Sequence, residues 1–79
     1  MYFVKVNSKD EAVALFDVSE TGYYGQYFDK TTFEWTYKEG IGSDVRWDTE
    51  TFHVSKDEAL AIIESFKADA PYVAWRRNP

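Results

Sequence analysis

GYYGQYFDKTTFEWTYKE, residues 22–39, is the most aromatic part of the sequence, with seven aromatic side chains among its eighteen residues. It predicts a β-hairpin that supplies the middle of a sheet. Apolar and polar residues alternate over residues 31–38, so Phe33, Trp35 and Tyr37 should point to one face of a strand and the residues between them to the other. This alternation is typical of a strand with one buried face, formed by the three rings, and one face in water.

The first strand of the hairpin is predicted over residues 23–28, and its aromatic residues fall on both faces. Alternation therefore does not assign these faces, and Tyr24 and Tyr27 are candidates either for the core or for a binding surface. Asp29 and Lys30 are predicted to form the tight turn between the two strands. The chain has more rings than a core of its size should need, so we expect some of them at a protein interface, where Tyr and Trp dominate the binding energy.

Two segments outside the hairpin align without a gap: SKDEAVALF at residues 8–16 and SKDEALAII at residues 55–63. In each, a Ser followed three residues later by Glu forms a capping box, which predicts the start of a helix. The first helix is predicted over residues 9–18. The second is predicted over residues 55–68, with a broad apolar stripe, and ends before Pro71. The likeness has two explanations, convergence on one capping signal or internal duplication of a strand–helix unit.

Three further segments are predicted as strands. Tyr2–Val6 is a β-prone alternating run, and residues 72–75 form a closing strand. Residues 44–54 form either one strand with a bulge near Asp48 or two short strands. The resulting order, β-α-β-β-β-α-β, predicts an α+β two-layer sandwich close to the ferredoxin-like fold, in which an antiparallel sheet of four or five strands carries both helices on one face.

The 79 residues predict a single α+β domain over residues 1–79. The absence of cysteine excludes disulfides, thiolate metal sites and a cysteine nucleophile. Because small secreted domains usually depend on disulfides, we expect a cytoplasmic protein. The first residues lack the apolar core of a signal peptide, and no apolar run approaches the ~20 residues that a membrane span requires.

The net charge of −5 is unevenly distributed, since residues 39–58 contain six acidic and two basic side chains. Duplex DNA and anionic membranes are therefore unsuitable partners, because phosphate binding requires clustered Lys or Arg. The basic surface of a protein or nucleoprotein complex is the partner that this charge favours.

Few residues could support catalysis. His53 is the single histidine, and as a general base it would need a nucleophile and an orienting carboxylate nearby. Gly40-Ile41-Gly42 lacks the third glycine and the helix of a phosphate-binding loop. One histidine without cysteine is unsuited to a transition-metal site. We therefore expect a protein that is not an enzyme, with no cofactor, no metal and no catalytic residue.

Exposed rings and carboxylates are the candidate partner-binding residues. Asp48 and Glu50, two residues apart on a predicted strand, should project from one face roughly 6–7 Å apart. Several such carboxylates can imitate a run of phosphates. The predicted partner-binding set is Tyr24, Tyr27, Glu34, Glu39, Asp44, Trp47, Asp48 and Glu50.

In size, acidity, aromatic content and lack of cysteine, the chain resembles the small proteins that phages and mobile elements encode to block host nucleic-acid machinery, including anti-CRISPR proteins. The resemblance rests on no sequence motif. It implies an inhibitor in the host cytoplasm that blocks a nucleic-acid-binding complex, partly by mimicry of nucleic acid.

Two other functions fit the same residues. The first is a ferredoxin-like module that binds single-stranded RNA by stacking bases on sheet aromatics, with Arg76 and Arg77 contacting phosphates. The second is a small structural or regulatory domain without a ligand. In each case the chain is expected to be a monomer or a small homo-oligomer.

Overall fold

The computed structural model describes residues 1–21 and 24–74, without the side chains of Arg46 and Trp47. It contains five strands and two helices. In chain order these are β1 Tyr2–Val6, β2 Ala12–Val18, β3 Gly25–Asp29, β4 Glu34–Tyr37, α1 Ile41–Trp47, β5 Thr51–Val54 and α2 Lys56–Lys67.

The five strands form one sheet in the order β4-β3-β2-β1-β5, and every pair of neighbours is antiparallel. The prediction of an α+β protein with an antiparallel sheet and two helices is confirmed. The predicted element order is wrong, since the chain runs β-β-β-β-α-β-α, and the structure therefore lacks the order on which the ferredoxin-like variant depended. The aromatic hairpin lies at one edge of the sheet, because β4 has β3 as its single neighbour among the described strands.

The first predicted helix, over residues 9–18, is wrong because most of it is strand β2. Leu15 packs with α2, while Phe16 and Val18 pack with α1. A strand covered on both faces is apolar at successive positions, so its pattern resembles the stripe of a buried helix. The SKDE residues before it form the turn from β1. There Asn7 Oδ1 accepts hydrogen bonds from the backbone N–H groups of Lys9, at 2.9 Å, and Glu11, at 3.0 Å.

The second predicted helix is confirmed as α2. Ser55 Oγ accepts a hydrogen bond from the backbone N–H of Glu58 at 3.1 Å, which caps the first turn. The helix ends where Asp69 takes a left-handed conformation, with φ of 52°. In the described part of the chain, no helix is long and apolar enough to cross a membrane.

The two helices lie on opposite faces of the sheet, so the prediction of both helices on one face is wrong. Ala59 and Ile62 of α2 pack against Val4 and Val6 of β1, whereas Ile41 and Val45 of α1 pack with Phe3. Because successive side chains of a strand alternate between faces, these contacts define an α2 face and an α1 face. The main core is on the α2 face: Val4, Val6, Leu15, Phe28, Val54, Ala59, Ile62 and Ala74 are all buried.

The hairpin within residues 22–39 differs from the prediction in its turn and in its buried face. β3 continues to Asp29, and the backbone N–H of Phe33 donates to the Asp29 carbonyl at 2.7 Å, which closes a longer loop. Trp35 is half-buried against Phe28, but Phe33 and Tyr37 are 43% and 60% exposed. The reason is that α2 packs over β1 and β2 and leaves the outer part of β4 uncovered.

The predicted strand over residues 44–54 is wrong in its first part, which belongs to α1. Gly40, with φ of 82°, turns the chain into this helix, and Ile41 and Val45 then meet the sheet one turn apart. The second part is β5. The predicted closing strand over residues 72–75 is reduced to one bridge between Val73 and Glu11. Trp75 and the basic residues after it lie outside the described residues.

Candidate functional site

A groove of about 600 Å³ opens on the α1 face of the sheet. Ala14, Phe16 and Tyr27, from β2 and β3, line it, and α1 contributes Ile41 and Val45. Phe16 and Tyr27 are paired across β2 and β3 and are half-buried. The groove thus combines an apolar floor made by the sheet with one apolar wall made by the helix.

Gly25 allows α1 to approach the sheet this closely. A Cβ at this position would clash with Ile41 Cγ2 and would lie 3.3 Å from the Asp17 carbonyl oxygen. Since Ile41 is buried and begins α1, any side chain here would displace the wall of the groove.

One side of the rim is formed by an ion pair between Lys5 Nζ and Asp48 Oδ2, 3.0 Å apart. Asp48 Oδ1 also accepts the backbone N–H of Glu50 at 2.8 Å. This N–H, together with the Lys5 ammonium, lowers the pKa of Asp48 below its usual value. The hydrogen bond and charge of Asp48 in turn raise the pKa of Lys5. The Asp48 carboxylate is therefore already engaged by Lys5 and by the Glu50 N–H.

The opposite side of the rim contains Asp29 and Lys30, which are also engaged internally. Asp29 Oδ1 accepts the backbone N–H groups of Thr31 and Thr32, at 2.7 and 3.3 Å. Lys30 Nζ donates to the carbonyl of Val13 at 2.9 Å. Val13 is the extra residue where the β1–β2 register shifts, so Lys30 satisfies a carbonyl that the bulge leaves outside the regular pairing.

Lys38 and Asp44 complete the charged rim. Neither side chain forms an ion pair or hydrogen bond with the residues that the structure describes. These two residues therefore present charges that a partner could engage without breaking an internal contact.

Four of the predicted partner-binding residues surround α1. Asp44 and Asp48 lie on the groove rim, while Glu39 and Glu50 are exposed in the turns before and after the helix. The expected strand spacing of Asp48 and Glu50 is wrong, because both come after α1 in a turn. Asp48 is also paired with Lys5, so it is unavailable as an unpaired carboxylate.

The remaining predicted residues are dispersed. Tyr27 is in the groove floor, and Glu34 is exposed on β4. Tyr24 lies away from the groove, in a shallow cleft of about 430 Å³ at the end of the sheet, where it is 65% exposed and Tyr37 is the other large ring. Trp47 ends α1, and its side chain lies outside the described part of the structure.

Sequence reasoning missed Lys5, Ala14 and Phe16 as groove residues, because it placed Phe16 on the core face of a helix. The signal that could have located Phe16 is the continuous apolar run at residues 12–16, which is as consistent with a strand buried on both faces as with a helix.

His53 lies exposed on β5, where its ring meets the edge of Phe3 at 5.5 Å between centroids. No carboxylate or hydroxyl group of the described chain hydrogen-bonds to its imidazole. Among the same residues, no cluster of three or more His, Cys, Asp or Glu side chains is arranged to hold a metal ion.

Comparisons with protein-family models, with curated proteins and with solved structures find no match for this chain. The site is therefore interpreted from its own geometry and charge.

Proposed function

We propose that the chain is a non-enzymatic binding protein that uses its α1 face to engage a basic surface of another protein. The observation that carries this proposal is the set of carboxylates around α1. Glu39, Asp44 and Glu50 are exposed on the helix and its two flanking turns, and none forms an ion pair with a described residue. A group of unpaired, exposed carboxylates steers a cationic partner toward the surface that carries it.

The groove beside these carboxylates supplies an apolar contact. Phe16 and Tyr27 are half-buried and keep part of their rings accessible in its floor. A basic side chain with a long aliphatic stem, such as Arg or Lys, could place the stem over these rings and its charge near Asp44. Charge then contributes mainly to association rate and specificity, and the rings contribute to affinity.

A narrower version of this proposal is an inhibitor of a nucleic-acid-binding complex, in which the carboxylates occupy positions that phosphates would take. The net charge of −5 supports it. Competition tests this version directly: the protein should displace nucleic acid from the partner, and added nucleic acid should displace the protein.

The main test compares two variants with the same net charge. Asp44→Lys with Glu50→Lys alters the α1 side, and Glu20→Lys with Glu64→Lys alters exposed positions elsewhere; each pair changes the net charge from −5 to −1. Partners captured from a lysate by the wild-type protein are identified by mass spectrometry, and their association rates are then measured at several salt concentrations.

The α1-side variant should lose at least tenfold in association rate at low salt, with a smaller loss at high salt, because screening weakens the steering. The control variant should retain more of the wild-type rate. Equal losses in the two variants, or rates that salt does not change, would show that the α1 face does not direct binding.

A second candidate function is binding of single-stranded RNA. It is supported by Phe16 and Tyr27 in the groove floor, with Lys5, Lys30 and Lys38 around it. Two of these lysines are engaged with Asp48 and with the Val13 carbonyl, so the first proposal is favoured. Titration of labelled single-stranded RNA at low salt distinguishes them, since the absence of binding at tens of micromolar eliminates this candidate.

A further inference from the structure

The outer edge of β4 is open to another strand. Among the described strands β4 pairs with β3 alone. The backbone N–H of Lys38, the next residue after β4, donates to the carbonyl of Gly25, the residue opposite it on β3, at 3.4 Å. Because backbone groups of successive residues alternate in direction, the N–H and C=O groups of Trp35 and Tyr37 point away from β3.

Two of the features that protect a sheet edge, a proline and a bulge, are absent from β4. Its pairing with β3 is regular from Glu34 to Tyr37. Tyr37 is 60% exposed at this edge. An edge of this kind is a template for pairing with another chain.

The sequence of this edge is complementary to itself. In residues 34–38, EWTYK, antiparallel pairing of two copies about Thr36 places Glu34 opposite Lys38 and Trp35 opposite Tyr37, with Thr36 opposite its own copy. These are an opposite-charge pair, an aromatic pair and a threonine pair, the three kinds of cross-strand pair that stabilise sheets.

The faces of the monomer agree with this register. Glu34, Thr36 and Lys38 alternate with Trp35 and Tyr37 along the strand, so the charged and threonine pairs lie on the α1 face and the aromatic pairs on the α2 face. The outward backbone groups belong to Trp35 and Tyr37, which would form the hydrogen-bonded pairs. Within a monomer, Glu34 and Lys38 are four residues apart, about 13 Å along a strand, and cannot pair with each other.

We propose that a second copy of this chain pairs with the β4 edge in this antiparallel register, which joins two five-stranded sheets into one continuous sheet around a two-fold axis at Thr36. The other edge strand fits less well. β5, with the sequence TFHV, has no Lys, Arg, Asp or Glu and so no charge pair to set a register. This assembly is independent of the proposed partner, since a monomer can present the α1 face equally well.

A charge exchange tests the register. Glu34→Lys alone and Lys38→Glu alone each place like charges opposite each other twice in the dimer, so each should weaken dimerisation about tenfold in sedimentation equilibrium. The double variant Glu34→Lys with Lys38→Glu restores both pairs and should regain wild-type dimerisation. Single and double variants that dimerise equally would overturn the proposed register.

A cysteine cross-link tests the two-fold axis, and the absence of native cysteine makes it unambiguous. In this register Thr36 faces its own copy in a non-hydrogen-bonded pair, with Cα atoms about 4.5 Å apart, which suits a disulfide. Thr36→Cys should therefore cross-link rapidly under mild oxidation. Thr32→Cys is the matched control and should not, because its copies lie about eight residues apart along the paired strands.

Three further results would refute the proposal. The first is a wild-type protein that sediments as a monomer up to its solubility limit. The second is equal cross-linking of the Thr36→Cys and Thr32→Cys variants. The third is continuous growth of larger species with concentration, which would indicate head-to-tail pairing of β4 with β5.

Discussion

Phe33 has a backbone conformation that aromatic residues rarely adopt. Its φ is 57°, and its ring is 43% exposed beside the β3–β4 loop. The loop needs a left-handed residue at this position to return the chain from Asp29 into β4, and a Cβ makes that conformation costly.

Replacement of Phe33 separates the backbone cost from the loss of the ring. Phe33→Gly and Phe33→Ala both remove the ring, but only glycine accepts positive φ without strain. The glycine variant should be more stable than the alanine variant by about 1 kcal/mol, as measured by urea denaturation. Equal stability of the two variants would mean that the backbone is not strained at this residue.

Asp48 predicts how stability depends on pH. Its pKa is lowered in the folded chain, chiefly by the Glu50 N–H and then by Lys5. A carboxylate with a lowered folded pKa contributes stability above its unfolded pKa of about 4, and that contribution is lost as the pH falls through the folded pKa. Asp48→Asn, which keeps an oxygen to accept the Glu50 N–H, should be less stable than wild type at pH 7. The difference should shrink toward zero as the pH falls through the lowered folded pKa.

Lys5→Met is the companion variant for this titration. It removes one partner of Asp48 but leaves the Glu50 N–H. The stability that this variant loses on acidification should therefore be smaller than the stability that wild type loses, but it should not disappear. Thermal unfolding of wild type and the two variants between pH 7 and pH 2.5 measures these differences. An Asp48→Asn difference that stays constant over this range would contradict the origin assigned to it.

At the level of elements, the pentapeptide SKDEA takes two conformations. At residues 55–59 it begins α2, and at residues 8–12 it forms the turn into β2. The residue before each copy differs: Asn7 precedes the first copy and uses its side chain to hold the turn, with Asp10 at φ of 60°. The residues after each copy also differ, since LAIIESF has a helical apolar stripe while VALFDV is apolar at every position but Asp17, as in a strand covered on both faces.

Matched serine substitutions should show the two roles. Ser55→Ala removes the oxygen that accepts the Glu58 N–H and should cost about 1 kcal/mol in urea denaturation. Ser8 is exposed in the turn, and Ser8→Ala should change stability by less than about 0.5 kcal/mol. Similar losses from the two changes would indicate that Ser8 also has a capping role.

The sequence predicts the elements whose signal is local, but it does not predict those that depend on tertiary packing. Ser55 and the stripe after it identify α2, and Tyr2–Val6 is β1 as expected. β2 resembles a helix in sequence because α1 and α2 cover both of its faces, and α1 gives little helical signal because it is only seven residues long. In the site, Asp44 and Tyr27 can be predicted from the acidic and aromatic content of the sequence. Lys5 and Phe16 could not be predicted, because strand pairing alone brings them to the groove.

In the molecule as a whole, the two faces of the sheet are unequally supported. Among the residues that the structure describes, the α2 face has eight buried core residues and the α1 face has three, Val18, Ile41 and Val45. Local opening requires less free energy where fewer apolar groups are buried. The wall of the groove is therefore expected to open more readily than the core beneath α2.

Amide hydrogen exchange can compare the two helices in one experiment. The N–H groups of Asp44 and Val45 in α1 should exchange on the order of ten- to a hundredfold faster than those of Ile62 and Ile63 in α2. Equal protection of the two helices would show that they open together as one cooperative unit.

The placement of α1 and α2 on opposite faces also determines how a dimer joined at β4 would present its two grooves. Residues directly opposite in an antiparallel pair project to the same side of the sheet, so pairing at β4 would put both α1 faces on one side. The centres of the two groove floors, between β2 and β3 of each copy, would be separated by about four strand spacings, or ~19 Å. A partner with two basic sites at that separation would bind the second site at a high effective concentration, so avidity would exceed the affinity of either groove alone.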